Sequence, residues 1–238
     1  MFSSHEINIA LLIETLREEP LLCANILKLV NSPYYGLKSS VSSIDSAVML
    51  LGATVIRGII MATILKKSFP LDLSPYAISI EQFDKICILR TKFLREWVKD
   101  EGLDIQTLSS VALLMESGKI ITSNEILKNQ LYSTFIDLVQ KHSSLYAEKE
   151  LFDTDSYEIA SLLFEQWEFE ESFTKLISNI QNPSTKEQKI LHILCVAISV
   201  DGILEEKNID ASIEIIDKYQ LDKEKFTKAV EAIKQEAL

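Results

Sequence analysis

"EEPLLCANILKLVNSPYYGLKSSVSSIDSAVMLLGATVIRGIIMATIL", residues 18–65, carries the punctuation from which the fold is read. The apolar run ahead of Asn31 stops there, because Pro33 cannot continue a helix and pushes Ser32 out of the helical region. Gly36 then permits the turn. A second apolar run starts behind Ser43 and ends at Gly52, with Thr54 expected to cap a third. Residues 47–65 approach the roughly 20 residues of a membrane span. Arg57 lies near their middle, where a charge costs about 2.5–3.5 kcal/mol on insertion, and Gly52 interrupts them. Two buried helices of a packed core are expected there instead.

The same grammar repeats along the chain. Ser3 with Glu6, Ser79 with Gln82, Thr122 with Glu125, Asp155 with Glu158 and Thr185 with Gln188 have the spacing of helix-capping pairs. Between them, apolar residues recur at three and four, as Ile9, Leu12, Ile13 and Leu16 do, and as Phe83, Ile86, Phe93 and Trp97 do. Helices are predicted over 4–18, 20–30, 43–51, 54–67, 80–100, 105–116, 124–141, 156–168, 170–180, 186–200, 205–219 and 223–237. No segment alternates for long enough to predict a sheet. The expected fold is an all-α, multi-helix array. Breaks at 68–79 and 181–185 divide it into an N-terminal cluster (1–72), a second cluster (79–185) and a C-terminal helical extension (186–238).

Composition agrees, with only six glycines and five prolines in 238 residues. The chain carries 24 basic and 35 acidic residues, a net charge of -11. That balance repels phosphate backbones, so no nucleic-acid partner is expected. Acids concentrate at Glu148, Glu150, Asp153, Asp155, Glu158, Glu165, Glu168, Glu170 and Glu171. They read as a solvated helix face, with a surface for recruitment or self-association as the competing reading. Cys23, Cys87 and Cys195 lie far apart within apolar runs and read as core thiols of a cytoplasmic protein. No secretory signal is read ahead of the first helix.

The search for catalytic chemistry returns little. His5, His142 and His192 share no helix-face spacing and read as surface or packed side chains, not metal ligands. "DTDSYEIASLLFE", from Asp153, lacks the glycine and the final glutamate of a calcium loop. There is no glycine-rich phosphate loop, nucleophile elbow or cysteine–histidine signature. No cofactor and no metal are expected.

Glu19-Pro20, Asn31-Ser32, Tyr34-Tyr35-Gly36, Ser43-Ile44-Asp45, Leu51-Gly52 and Arg57 occur in an order and at separations that resemble the HDOD family, the HD-related output domains of bacterial signalling proteins. The resemblance extends more weakly to about residue 183, without the extra helix with which such domains usually begin ahead of residue 5. It implies an N-terminal helical cluster packed on an HD-like cluster. Catalytic relatives, the HD metal-dependent phosphohydrolases, place a metal-ligating His-Asp pair shortly before a glycine and a lysine. Here Met115-Glu116 stands in that place, with Gly118-Lys119 kept. Ser156, Asn179 and Ile180 occupy positions where relatives often carry histidine. The resemblance therefore implies a non-catalytic regulatory module that binds a protein or a small regulator, with Asn31, Ser32, Tyr34, Tyr35 and Arg57 as candidate partner-binding residues. The alternatives are a divergent metal phosphohydrolase acting on nucleotides or cyclic dinucleotides, and a scaffold that self-associates through the acidic face. For the tyrosines, plugging the junction between the helices expected at 20–30 and 43–51 competes with a binding role; for Arg57, a role as helix C-cap or carboxylate partner inside the cluster does.

Overall fold

The structure is a computed structural model and describes residues 9–17, 20–31, 40–68 and 70–236. Helices α1 (Ile9–Arg17), α2 (Pro20–Val30), α3 (Ile44–Leu51) and α4 (Ala53–Ser68) form the N-terminal cluster. Their inner faces, among them Leu16, Ile26, Val48 and Ile56, share one apolar core. The Ser43 side chain caps α3, and Gly52 ends it at φ 80, a left-handed conformation that favours glycine. A Cβ at Gly52 would also overlap the Gln106 side-chain amide, which donates to the Leu51 carbonyl. That close approach docks the end of α3 on the second cluster. α4 begins at Ala53, one residue ahead of the expected Thr54 cap. Across this break the chain bends by 114°, and no single helix among the described residues is long and apolar enough to cross a membrane.

The next segment is packed, not extended. Leu73 and Tyr76, around a 3-10 turn at Ser74–Tyr76, enter a core with Ile120, Ile126 and Phe135. Then follow α5 (Ile80–Trp97), α6 (Ile105–Leu114), a 3-10 turn at Met115–Ser117, α7 (Gly118–Lys128), α8 (Tyr132–Lys141), α9 (Ser144–Phe152), α10 (Ser156–Gln166) and α11 (Glu171–Ser178). α12 (Lys186–Ala197), α13 (Glu206–Tyr219) and α14 (Lys223–Glu236) complete the order. The segment after residue 185 shares one apolar core with α5, α6 and α10: Phe226 stacks edge-on against both Phe93 and Trp97, at 5.3 and 5.2 Å between ring centroids.

Three expectations are corrected. The expected helix 124–141 is two helices; α7 starts earlier, at Gly118, with no side-chain cap, and it stops where Gln130 adopts φ 58. α9 was not expected, although Ser143 caps it through the Tyr146 amide. The expectation of no sheet fails at a minimal antiparallel hairpin, β1 (Ile198–Ser199) with β2 (Gly202–Ile203), which ends α12 at Ala197. Two residues per strand are too few for an alternating pattern to show.

Candidate functional site

Glu116 and Lys119 flank the start of α7, three residues apart and therefore on one face. Both are buried, and four further elements converge on them: Tyr76 from the 3-10 turn, Arg90 from α5, Glu148 from α9, and Ser156 and Tyr157 from α10. Arg90 pairs with Glu116 Oε1 through Nη1, and its Nε donates to the Ile198 carbonyl at 2.5 Å. The Tyr157 hydroxyl donates to Glu116 Oε1 at 2.7 Å. Lys119 Nζ stands 3.6 Å from Glu116 Oε2 and 3.0 Å from Glu148 Oε1, and donates to Ser156 Oγ at 2.9 Å. Glu148 also accepts from the Tyr76 hydroxyl at 2.7 Å and from the Ser156 amide at 2.6 Å.

Two cations thus meet two carboxylates in a buried, charge-balanced network, in which Arg90 Nη2 and Glu116 Oε2 have no hydrogen-bond partner among the described residues. Burial alone would neutralise Glu116, but Arg90 and then Lys119 outweigh it and hold the carboxyl down at about 2. Burial likewise opposes a charged Lys119, and Glu148 and then Glu116 reverse that, raising the ammonium above its ordinary range. For Tyr76, burial and then Glu148 push the phenol well above its ordinary value, so it stays a donor.

The relatives' chemistry would place a metal ion here, and the residues present do not fit one. Among the described residues, no three His, Cys, Asp or Glu side chains converge in a way that could hold an ion. A divalent ion between Glu116 and Glu148 would also face the Lys119 ammonium and the Arg90 guanidinium at repulsive range in a poorly screened interior. Of the other positions where relatives carry histidine, Ser156 receives Lys119, the Asn179 amide donates to the Lys175 carbonyl at 3.1 Å, and Ile180 is packed in the core.

The network corrects the reading of the acidic face. Glu148 is fully buried, and Asp155 caps α10 through the amides of Tyr157 and Glu158. Sequence reasoning also missed Arg90, although a signal was present: it falls on the apolar stripe of α5 between Phe83 and Trp97.

Of the expected partner-binding residues, Ser32, Tyr34 and Tyr35 lie outside the described residues. Asn31 follows the last turn of α2, where its Nδ2 donates to the carbonyls of Leu27 at 2.9 Å and Val41 at 2.7 Å. Its Oδ1 accepts from the Val41 amide at 2.7 Å, so one side chain joins the end of α2 to Val41. Asn31→Ala removes all three bonds at an exposed position and is expected to lower unfolding stability by about 1–2 kcal/mol in urea titrations. An unchanged midpoint would show that these bonds do not hold the end of α2 to Val41.

Arg57, on α4, is 8 % exposed and reaches the turn between α10 and α11. It donates to the Trp167 carbonyl at the C-terminal cap of α10 and lies 4.4 Å over the Phe169 ring. Arg57 therefore caps a helix of the second cluster from the first, while Asn31 joins the end of α2 to Val41 within the first.

His142 caps the end of α8 and stacks on Tyr146, and His192 is half-buried with Nδ1 2.7 Å from the Ile180 carbonyl. Cys87 and Cys195 are buried, half-buried Cys23 donates to the Leu16 carbonyl at 2.8 Å, and none of the three is in a disulfide.

No curated protein matches the chain. Solved structures share its fold across 98% of its length. A virulence factor of Campylobacter jejuni subsp. jejuni is 24% identical, with 90% of that chain covered and a TM-score of 0.56. A Shewanella amazonensis protein described as a "Putative phosphohydrolase" is 20% identical, with 84% covered and a TM-score of 0.71. An HDOD domain protein with unknown function from Geobacter sulfurreducens is 18% identical, with 85% covered and a TM-score of 0.65. The family model for the HDOD domain matches residues 1–183. The chain therefore belongs to the HDOD domain family.

Proposed function

We propose that this HDOD chain is a non-catalytic bacterial signalling module that acts by binding a regulatory protein or a small regulator. The observation that carries the reading is Lys119, whose ammonium sits between Glu148 and Glu116 at the place relatives give to metal chemistry. Metal-assisted hydrolysis needs an ion with an open coordination position and access for a water and a substrate. Here Arg90, Glu116 and Glu148 are 0% exposed and Lys119 is 2%, and each carboxylate is paired with a buried cation. The charged centre supports the fold, and function falls to the surface.

A second reading, a divergent metal phosphohydrolase, is favoured by the description of the Shewanella neighbour. Two measurements on the purified full chain decide between them: bound Mn, Fe and Zn by mass spectrometry, and turnover of bis(p-nitrophenyl) phosphate with each metal added. The module reading expects substoichiometric metal and no turnover above buffer. Stoichiometric metal together with metal-dependent turnover would overturn it.

A further inference from the structure

Where the N-terminal cluster meets the second cluster, a cleft of about 360 Å³ opens between α3 and α4 on one side and α5 and α6 on the other. It falls within the range of about 300–1,000 Å³ typical of small-molecule sites, at the small end. Leu50, Val55 and Ile105 make its apolar walls. Leu50 is 47% exposed, so the apolar wall is open to solvent.

Four polar side chains also line the cleft: Arg95, Gln106, Ser109 and Ser110, the last of which donates its hydroxyl to the Gln106 carbonyl at 2.8 Å. Arg95 has no hydrogen-bond or ion-pair partner among the described residues, in a chain with an excess of 11 acidic charges. Gln106 uses one amide N–H on the Leu51 carbonyl, leaving the second available. The buried Ser109 hydroxyl has no hydrogen-bond partner among the described residues. Asp104, next to Ile105 in sequence, engages its carboxylate with the Thr107 amide at 3.1 Å and hydroxyl at 2.6 Å, so it does not pair with Arg95.

We propose that this cleft binds a small carboxylic acid with an apolar chain, its carboxylate held by Arg95 and its chain laid against Leu50, Val55 and Ile105. A guanidinium presents a planar fork of donors that matches a carboxylate. A single unpartnered cation on an acidic protein suits a monoanion better than a polyphosphate. The occupant touches both clusters at once, so its binding couples them. The proposal rests on the module reading and names the ligand class that module takes.

The test is a titration of the ¹⁵N-labelled full chain with octanoate, followed by NMR. Saturable shifts are expected at the amides of Leu50, Ile105, Gln106 and Ser109, with a Kd of about 1 mM or below, as befits so small a ligand. Arg95→Gln should weaken binding about tenfold, the loss of one charge-assisted contact. Its thermal midpoint should not move, because Arg95 is exposed. Octan-1-ol, which keeps the chain and lacks the charge, should bind no better than octanoate binds the variant. Leu50→Glu, which sets a like charge at the mouth, should also weaken octanoate. The absence of saturable shifts, equal affinity in Arg95→Gln, or equal affinity for octan-1-ol would each overturn the proposal. Metal-dependent phosphodiester turnover would instead overturn the module reading, whatever the cleft binds.

Discussion

Lys119→Met is expected to destabilise the chain by about 3–5 kcal/mol, because it leaves two buried carboxylates with one buried cation. Glu148 would keep the Tyr76 hydroxyl and the Ser156 amide, and Glu116 would keep Arg90 and Tyr157, but the charge balance would be gone. Urea unfolding measures the loss directly. Glu148→Gln on the Lys119→Met background removes the stranded charge, so the double variant should lose less than the sum of the two single losses, by about 0.5–3 kcal/mol. Simple additivity would mean that Lys119 and Glu148 act independently, and the network described here would be wrong.

The dependence on pH separates this electrostatic loss from lost packing. In the wild type, Glu116 falls from its ordinary 4.5 to about 2 in the folded state. A depressed carboxyl stabilises the fold above its unfolded value, and that stabilisation is lost as the pH drops from 4.5 towards 2. The raised Lys119 works in the other direction: its contribution is complete below its ordinary 10.5 and is lost only as the pH climbs through its folded value. At neutral pH both contributions are present. In Lys119→Met, Glu116 loses one of the two cations that hold its carboxyl down and takes up a proton more readily in the folded state, so the deficit should be larger at about pH 7 than at about pH 3. A deficit that does not change with pH would assign the loss to packing alone.

What the sequence disclosed follows the range of the interactions. Ser79 with Gln82 and Thr185 with Gln188 form complete capping boxes, and α5 and α12 start where those pairs placed them. The stops at Asn31 and Gly52 are equally local, and α2 and α3 end as expected. The α7–α8 break escaped because it is made by Gln130 in a left-handed conformation, with no glycine or proline to announce it. α9 escaped because its buried face includes Glu148, which in a pattern of apolar and polar residues reads as solvent-facing. Glu148 is a core residue only because Tyr76, 72 positions away, and Lys119, 29 positions away, meet it there. The same holds for Arg57, whose partner carbonyl on Trp167 is 110 positions distant. The kept Gly118-Lys119 pair was legible as a motif; that its lysine faces Glu148 was not.

Gly118→Ala should fall with the most damaging substitutions, and the sign of its effect is reversed from what local reasoning gives. Gly118 sits in the first turn of α7 at φ -60, an ordinary helical value taken as well by alanine. In an exposed helix interior, alanine in place of glycine stabilises by about 1 kcal/mol. Here a methyl group would overlap the Ser156 carbonyl oxygen and lie 2.8 Å from its carbon and 3.0 Å from the Ala160 nitrogen. All three are backbone atoms of α10, so no rotamer change relieves the contact; the two helices must separate. Separation would draw the Ser156 amide from Glu148 and its hydroxyl from Lys119, adding loss of the network to the steric cost. A loss of about 3 kcal/mol or more is expected, or a Tm lowered by about 6–12 °C in a chain of this size. Gly102→Ala is the matched control. Gly102 has φ +68 with nothing within 4 Å of a Cβ, so only backbone strain of about 1–2 kcal/mol applies. If Gly118→Ala proves milder than Gly102→Ala, the helix crossing is not the close contact described, and Lys119 is not held by it against Glu148.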